Sequence, residues 1–567
     1  MSSPKLTESV APYDLASVLA YREAGLWTGQ SLPAGLVAAA ERHAARTALI
    51  AEGRAWTFTE LFEEARRLAA GLIGAEVVRP GEPVMFQLGN VAETAVAYLG
   101  CLLAAAQPVC TLPMHGTREI GLLARHVGAR TLITQDDFGS GRLRAQAGEL
   151  LADGVITSVV ICRGEPLGTT PGYAQLIEAG ATAPAGKLPY LDIDPRLTPA
   201  LPAVFQLSGG TTGLPKVAPR LHEEYAYNAR AWAAALEMDT GTRVLYPLPL
   251  MHNAGISLGL QPAIFAGSTL VLAPSADIGT LLDLMQEHRP QLLPLVPPAL
   301  AVRLLESPRA QAADLSGVRD FVVGGQRLAI EVAERLRDEL GLRVRQMFGM
   351  AEGMFLVTPA EASEAVRHHT VGAPVSPADE VRILEPGTED EVADGTVGEF
   401  AARGPYTIRG YYRAESHNRS SFTSDGFYRT GDLSRRHVTD EGVFYSIDGR
   451  IKDVINRGVE KIFAEEVEEI IVRHPDVVTA ALVAMPDRVL GERACAYLVM
   501  EDGAGPLTVA TLGQHLLGHG LAKYKLPERV EVVAALPLTN VGKVAKNKLR
   551  EDVTAKLAEA AGAGGPQ

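Results

Sequence analysis

The chain has 567 residues, more than one hydrophobic core of ~250–300 residues accommodates, so more than one domain is expected. Hydrophobic residues make up 47% and charged residues 21%, which excludes disordered, collagenous and coiled-coil classes for most of the chain. With 67 acidic against 53 basic residues the net charge is −14, which argues against nucleic acid and anionic membranes as partners.

The amino-terminal run MSSPKLTESVAPYD has no apolar core and does not read as a signal peptide. From Thr94 to Thr111 the chain is uncharged but interrupted by Gly, Gln and Pro, which leaves it short of the ~20 apolar residues of a spanning helix. Cys101, Cys110, Cys162 and Cys495 are scattered, with no CxxC pair, so neither a disulfide framework nor a zinc site is expected. A cytoplasmic protein in a reducing compartment is the reading.

Short apolar, β-rich runs follow one another along the chain: PVMFQLG, TLITQD, SVVIC, STLVLAP, QLLPLVP and DFVVGG. Between them lie helix-like stretches such as FTELFEEARRLAAGLI and IEVAERLRDEL. This alternation predicts α/β layers, with helices covering buried sheets. The character changes near residue 450, and the segment after it holds enough strand and helix for a small α+β domain. Domains are therefore expected at 1–450 and 451–567, with a hinge at Arg450–Lys452. The tail AKLAEAAGAGGPQ is expected to fray.

The segment FQLSGGTTGLPKVAPR carries the clearest chemistry. A strand-like lead enters Ser208, Gly209, Gly210, Thr211, Thr212 and Gly213, and Lys216 follows. Glycines let backbone N–H groups approach phosphate oxygens, hydroxyls add donors and lysine adds charge. It is not the Walker pattern, because Val217 follows Lys216. Taken alone, the loop equally fits a flexible surface turn.

Further motifs follow in order: QMFGMAEG, FYRTGDL, GRIKDVINRGVEKIFAEEVE and LPLTNVGKVAKNKLRE. With the loop they resemble the adenylate-forming superfamily of acyl-CoA synthetases, luciferases and nonribosomal adenylation domains. RGPYTIRGYYRAESHN, INRGVEKIFAEEVE and PDRVLGERACAYLV are similar to the stand-alone aryl-acid AMP ligases, such as those acting on 2,3-dihydroxybenzoate. The resemblance covers nearly the whole chain. It implies a large amino-terminal domain of layered sheets and helices and a small, mobile carboxy-terminal domain.

The resemblance also implies roles. Lys543 is the cation bridging the acid carboxylate and the α-phosphate of ATP. Glu352 is the Mg²⁺ ligand, a hard oxygen donor for a hard cation. Asp432 accepts the ribose hydroxyls, supported by Arg450, because one carboxylate can take two donors. Gly324, Gly325 and Phe348 enclose adenine. Lys452 is the pivot of the small domain, and Gly458 lines the approach of the thiol arm. Outside such a pattern each of these would read as a surface charge, a strand end or plain core.

The acid pocket is expected in PLPLMHNAGISLGLQ, where His252 gates the site and Asn253 bonds an ortho hydroxyl. Ala254, Leu258, Gly325, Gly349, Met350 and Phe355 complete it. Three positions depart from the dihydroxybenzoate pattern: Ala254 replaces a Tyr, Leu258 a Ser, and Phe355 a smaller aliphatic residue. A 3-hydroxyl left unpaired beside Leu258 would cost about 1–3 kcal/mol. The expected acid is therefore salicylate-like with apolar substituents, or bicyclic, such as a hydroxynaphthoate or quinoline acid. No carrier signature is read after Arg550, so an external carrier protein or CoA is expected as the acceptor. A ligase for medium-chain or other carboxylates, and a non-catalytic acyl-AMP sensor, are the alternatives.

Overall fold

The structure is a computed structural model that describes residues 10–182, 188–208, 215–326, 328–458, 460–487, 489–505, 507–539 and 543–563. The chain forms two compact units. The first runs to Glu380 and includes Ala402–Tyr428; the second is Val381–Ala401 with Arg429 onward. This division differs from a single cut at residue 450, since 381–401 and 429–450 pack with the carboxy-terminal unit. A packing boundary and a pivot of motion are separate properties.

The first unit is built on two sheets. One has six strands in the order Ser158–Cys162, Thr131–Gln135, Pro83–Gln87, Gln107–Val109, Pro202–Leu207 and Val217–Leu221. All neighbours are parallel except the last pair, which forms an antiparallel hairpin. The other has nine strands, with Gly353–Val357, Val344–Met350, Asp320–Gly324, Leu292–Val296 and Arg243–Tyr246 consecutive within it. The β-rich runs singled out in the sequence are strands of these sheets. Pro83–Gln87, Thr131–Gln135, Leu292–Val296 and Asp320–Gly324 are buried along their whole length, as parallel strands covered on both faces must be.

Helices cover these sheets for local reasons. Phe58–Gly74 opens with a capping box, the Thr57 hydroxyl accepting from the Glu60 N–H while the Glu60 carboxylate accepts from the Thr57 N–H. Its buried face is Phe58, Leu61, Phe62, Ala65, Leu68, Ala69 and Leu72, the spacing of one helical stripe. Ile330–Leu340 ends at Gly341, whose φ of 67° supplies the left-handed turn.

The second unit holds a four-stranded sheet, ordered Glu380–Leu384, Gly398–Arg403, Tyr428–Thr439 and Gly442–Arg450. It also holds a five-stranded sheet around the long hairpin Val477–Asp487 and Gly491–Met500. The helix Lys546–Ala563 reaches into the tail expected to fray, because Ala, Leu, Lys and Glu are strong helix formers, and residues 564–567 lie outside the described residues. All four cysteines are buried and unbonded, and burial pushes the Cys495 thiol up to about 12. Among the described residues no helix is long and apolar enough to cross a membrane.

Candidate active site

In the first unit the predicted site residues collect after the carboxyl ends of parallel strands. Ser208 follows Pro202–Leu207, Gly324 closes Asp320–Gly324, and Met350 closes Val344–Met350. His252 and Asn253 come after Arg243–Tyr246. Open α/β sheets place ligands at this edge, where helix and loop starts leave backbone donors free.

The expected phosphate loop joins the antiparallel strands Pro202–Leu207 and Val217–Leu221. The Ser208 N–H donates to the Lys216 carbonyl at 2.9 Å, closing its base. Gly209, Gly210, Thr211, Thr212 and Gly213 lie outside the described residues. The Lys216 ammonium stands over the Tyr411 ring, 5.0 Å from its centroid. Partial burial lowers its pKa, while the Glu352 carboxylate pulls the other way.

Glu352 is buried, and the Tyr411 hydroxyl donates to its Oε1 at 2.5 Å. The Tyr411 and Tyr428 hydroxyls are 2.7 Å apart. Tyr411 has one proton and gives it to Glu352, so Tyr428 is the donor in that second bond. Burial first, and then the Glu352 charge, raise the Tyr411 phenol pKa and keep it a donor. A single buried carboxylate held in this way suits a Mg²⁺ ion that takes its other ligands from phosphates and water. Among the described residues there is no cluster of three or more His, Cys, Asp or Glu that could hold a metal alone.

Behind Glu352 lies Arg220, a residue to which the sequence reading gave no role. It is fully buried and forms a two-pronged pair with Glu224 at 2.8 and 2.9 Å. Burial disfavours its charge, but Glu224 more than offsets this and the pKa stays raised. Its other donors reach the Ala351 and Tyr406 carbonyls, each at 3.0 Å. Arg220 thereby fixes the peptide just before Glu352. Its place inside the phosphate-loop string was the only signal, because burial is not readable from a charged residue.

The residues expected to bind the acid adjoin this array. The Asn253 amide donates to the Met350 carbonyl at 3.4 Å and accepts from the Tyr225 hydroxyl at 3.4 Å. Both contacts are long, which leaves the amide able to bind a further polar group. The Ala254 N–H donates to His252 Nδ1 at 3.3 Å, which sets that nitrogen as an acceptor and leaves Nε2 to carry the proton. Leu258 lies on a π-helical turn, Gly255–Leu260, and both it and Ala254 are buried. Such turns widen a helix and reposition its side chains. Gly255 is required there, since a Cβ would lie 2.2 Å from the Leu250 carbonyl oxygen.

Phe355 pairs with Gly349 across antiparallel strands, and Phe348 with Leu356. A Cβ on Gly349 would meet the Phe355 ring at 2.7 Å, so the ring rests on the glycine. Phe355 is also packed edge-on against Trp232, with centroids 5.6 Å apart. Trp232 was not singled out in the sequence, where it reads as one of several apolar positions of a helix. Gly324 is needed beside Met347, whose sulfur a Cβ would meet at 2.5 Å, and Gly325 has a φ of 86°. Phe348 is half-buried.

The second unit brings four predicted residues together. Asp432 and Arg450 are register partners in neighbouring strands, and Arg450 Nε lies 2.9 Å from Asp432 Oδ1. Lys543 has much of its surface exposed, yet protein crowds its ammonium; this crowding, Arg450 and Lys452 lower its pKa while Asp432 raises it. Lys452 sits in the 3-10 turn Ile451–Asp453, and Arg550 donates to its carbonyl at 3.2 Å and pairs with Asp453. Arg550 is a second residue that the sequence reading left without a role. Gly458, with a φ of 64°, turns the hairpin that follows, and its N–H donates to the Leu490 carbonyl at 2.7 Å.

This order of elements matches a known family model. Residues 36–412 match the AMP-binding enzyme model, and 466–543 match the AMP-binding enzyme C-terminal domain. The chain belongs to the AMP-binding enzyme family. The second match ends at Lys543. This AMP-binding enzyme is 38% identical to pyochelin synthase PchD of Pseudomonas aeruginosa over 557 residues, covering 98% of each chain. It is 37% identical to a salicylyl-CoA synthase / salicylate adenylyltransferase of Streptomyces, covering 97% of this chain and 98% of the other. Its fold resembles apo MbtA of Mycobacterium smegmatis with a TM-score of 0.73 and 36% identity, over 96% and 99% of the two chains. A cavity of about 470 Å³ in the enzyme's first unit lies elsewhere, beside Asp14, Tyr21, Arg403 and Arg409, and no predicted site residue lines it.

Proposed function

We propose that this enzyme activates an aromatic carboxylic acid with ATP and then passes the acyl group to a thiol. In the first step a carboxylate oxygen attacks the α-phosphorus, giving acyl-AMP and releasing pyrophosphate. In the second a thiol sulfur attacks the acyl carbon and AMP leaves. One observation carries the reading. Asn253, the group suited to an ortho-substituted aryl acid, bonds the Met350 carbonyl, two residues before Glu352 and its Tyr411 partner. Acid-binding and phosphate-binding chemistry therefore share one short hairpin.

Ser208, Lys216 and the intervening loop bind the phosphates. Glu352 would hold Mg²⁺, which when bound neutralises phosphate charge. Lys543 places positive charge on the attacking carboxylate and the α-phosphate, where two anions approach one another. Asp432 takes the ribose hydroxyls, with Arg450 fixing its carboxylate. Gly324, Gly325 and Phe348 take the adenine. Lys452 is the pivot between the two half-reactions, and Gly458 leaves room for the thiol arm. Asn253 takes the ortho hydroxyl and His252 stands at the acid's entry. Ala254, Leu258 and Phe355 offer apolar contact where a 3-hydroxyl would need a partner, so a salicylate-like or bicyclic acid is favoured. The thiol is that of phosphopantetheine, on a carrier protein or on CoA.

Acid-dependent ATP–pyrophosphate exchange tests the reading, with benzoate, salicylate, 2,3-dihydroxybenzoate, hydroxynaphthoates, quinoline acids and octanoate as probes. Exchange confined to ortho-substituted aryl acids is expected. Exchange with octanoate alone would overturn the reading. Adding CoA or a phosphopantetheinylated aryl carrier protein then identifies the acceptor by which of them yields thioester.

A further inference from the structure

The wall of the expected acid pocket has a support to which none of the assigned roles extends. Tyr406 is fully buried, and its hydroxyl donates to Asp379 Oδ2 at 2.6 Å. That uses its only proton, so its oxygen is an acceptor toward the Phe355 N–H at 3.2 Å. The Tyr406 ring also packs on Phe355, with centroids 6.0 Å apart. The backbones are equally close: a Cβ on Gly353 would lie 2.0 Å from the Tyr406 carbonyl oxygen.

Asp379 is itself held. Its N–H donates to the Ser376 carbonyl at 3.1 Å, and the Ser376 hydroxyl is 2.7 Å from that of Tyr227. Asp379 is only partly covered as a residue, but its Oδ1 is shut off from solvent and has no hydrogen-bond partner. A Cβ on Gly404 would fall 2.2 Å from that oxygen, so the glycine makes the space for the carboxyl. A carboxyl left half-satisfied in a buried place is costly for stability alone.

We propose that Tyr406, oriented by Asp379, is a positioning residue that holds Phe355 against Gly349 and so sets the depth of the acid pocket. The inference rests on the proposed function, which makes Phe355 and Gly349 part of the acid pocket.

Tyr406→Phe keeps the ring contacts and removes only the hydroxyl. With salicylate as the probe in pyrophosphate exchange, its KM is expected to rise about tenfold, the size of one lost hydrogen bond, with the KM for ATP unchanged. Asp379→Ala should match it, and adding it to Tyr406→Phe should cost nothing further. Asp379→Asn keeps an acceptor for the hydroxyl and should stay within about twofold of the parent enzyme. An unchanged KM in Tyr406→Phe, or equal changes in both KM values, would overturn the proposal. A second arm needs no activity: in a crystal structure of acid-free Tyr406→Phe, Phe355 should move relative to Gly349. A superimposable Phe355 would overturn the proposal. Absence of exchange by the parent enzyme with every aryl acid would instead count against the proposed function, and the crystallographic arm would still decide the role of Tyr406.

Discussion

Tyr411 and Glu352 are 59 positions apart in sequence and 2.5 Å apart in space, the phenol donating to a buried carboxylate. This pairing supplies the buried Glu352 carboxylate with a hydrogen-bond donor. It also explains why a tyrosine lies under Lys216: the ring faces the ammonium while the hydroxyl faces the carboxylate.

Tyr411→Phe removes the donor and leaves the ring. A hydrogen bond to a charged group contributes about 1.5–3 kcal/mol, so apparent Mg²⁺ affinity in the exchange reaction should change by about 10–100-fold. Titrating Mg²⁺ at fixed ATP measures this. An unchanged titration would show that the phenol does not tune Glu352.

Lys543→Ala should slow adenylation by about 10²–10³, the scale of losing one transition-state charge contact. Transfer from preformed acyl-AMP to the thiol should be spared. Single-turnover measurements of each half-reaction separate the two, and equal losses in both would make Lys543 a structural residue.

Lys452→Pro restricts the backbone at the proposed pivot. Thioester formation should fall more than adenylation if, as proposed, the small domain rotates about Lys452 between the two half-reactions. Arg550→Ala, which frees the Lys452 carbonyl and Asp453, should alter the same ratio without affecting acid selectivity. Transfer at the parent rate in Lys452→Pro would place the pivot elsewhere.

Burial pushes the Asp379 carboxyl up to about 8, against the pull of its Tyr406 and Ser376 hydrogen bonds. An aspartate in the unfolded chain releases its proton near pH ~4. Between these values the folded protein keeps a proton that the unfolded chain has lost, so stability falls as pH rises, by up to ~1.4 kcal/mol per unit. Below pH ~4 both states are protonated and the effect is absent. Urea unfolding of Asp379→Asn from pH 5 to 8 should show a shallower decline than the parent. Parallel declines would mean that Asp379 is ionised throughout this range.

The α/β class and the elements that carry the chemistry were legible because they depend on local patterns. Continuous apolar runs mark doubly covered strands, and a Thr57–Glu60 pair marks a helix start whatever lies around it. Ser208, Glu352, Asp432 and Lys543 could be proposed as a set because their motifs come in order along the chain. Arg220, Tyr406, Trp232, Asp379 and Arg550 were not, for a common reason. An arginine, an aspartate or an aromatic residue in sequence is equally suited to the surface, the core or a site. What selects among these is the partner, and beyond the local Arg220–Glu224 pair the partners are remote: Ala351 for Arg220, Phe355 for Tyr406 and Trp232, Tyr406 for Asp379, and Lys452 for Arg550. The chain by itself determined which chemical groups are present and in what order. Only folding decided which of them are removed from water and paired, and that pairing holds Glu352, Asn253 and Phe355 in place.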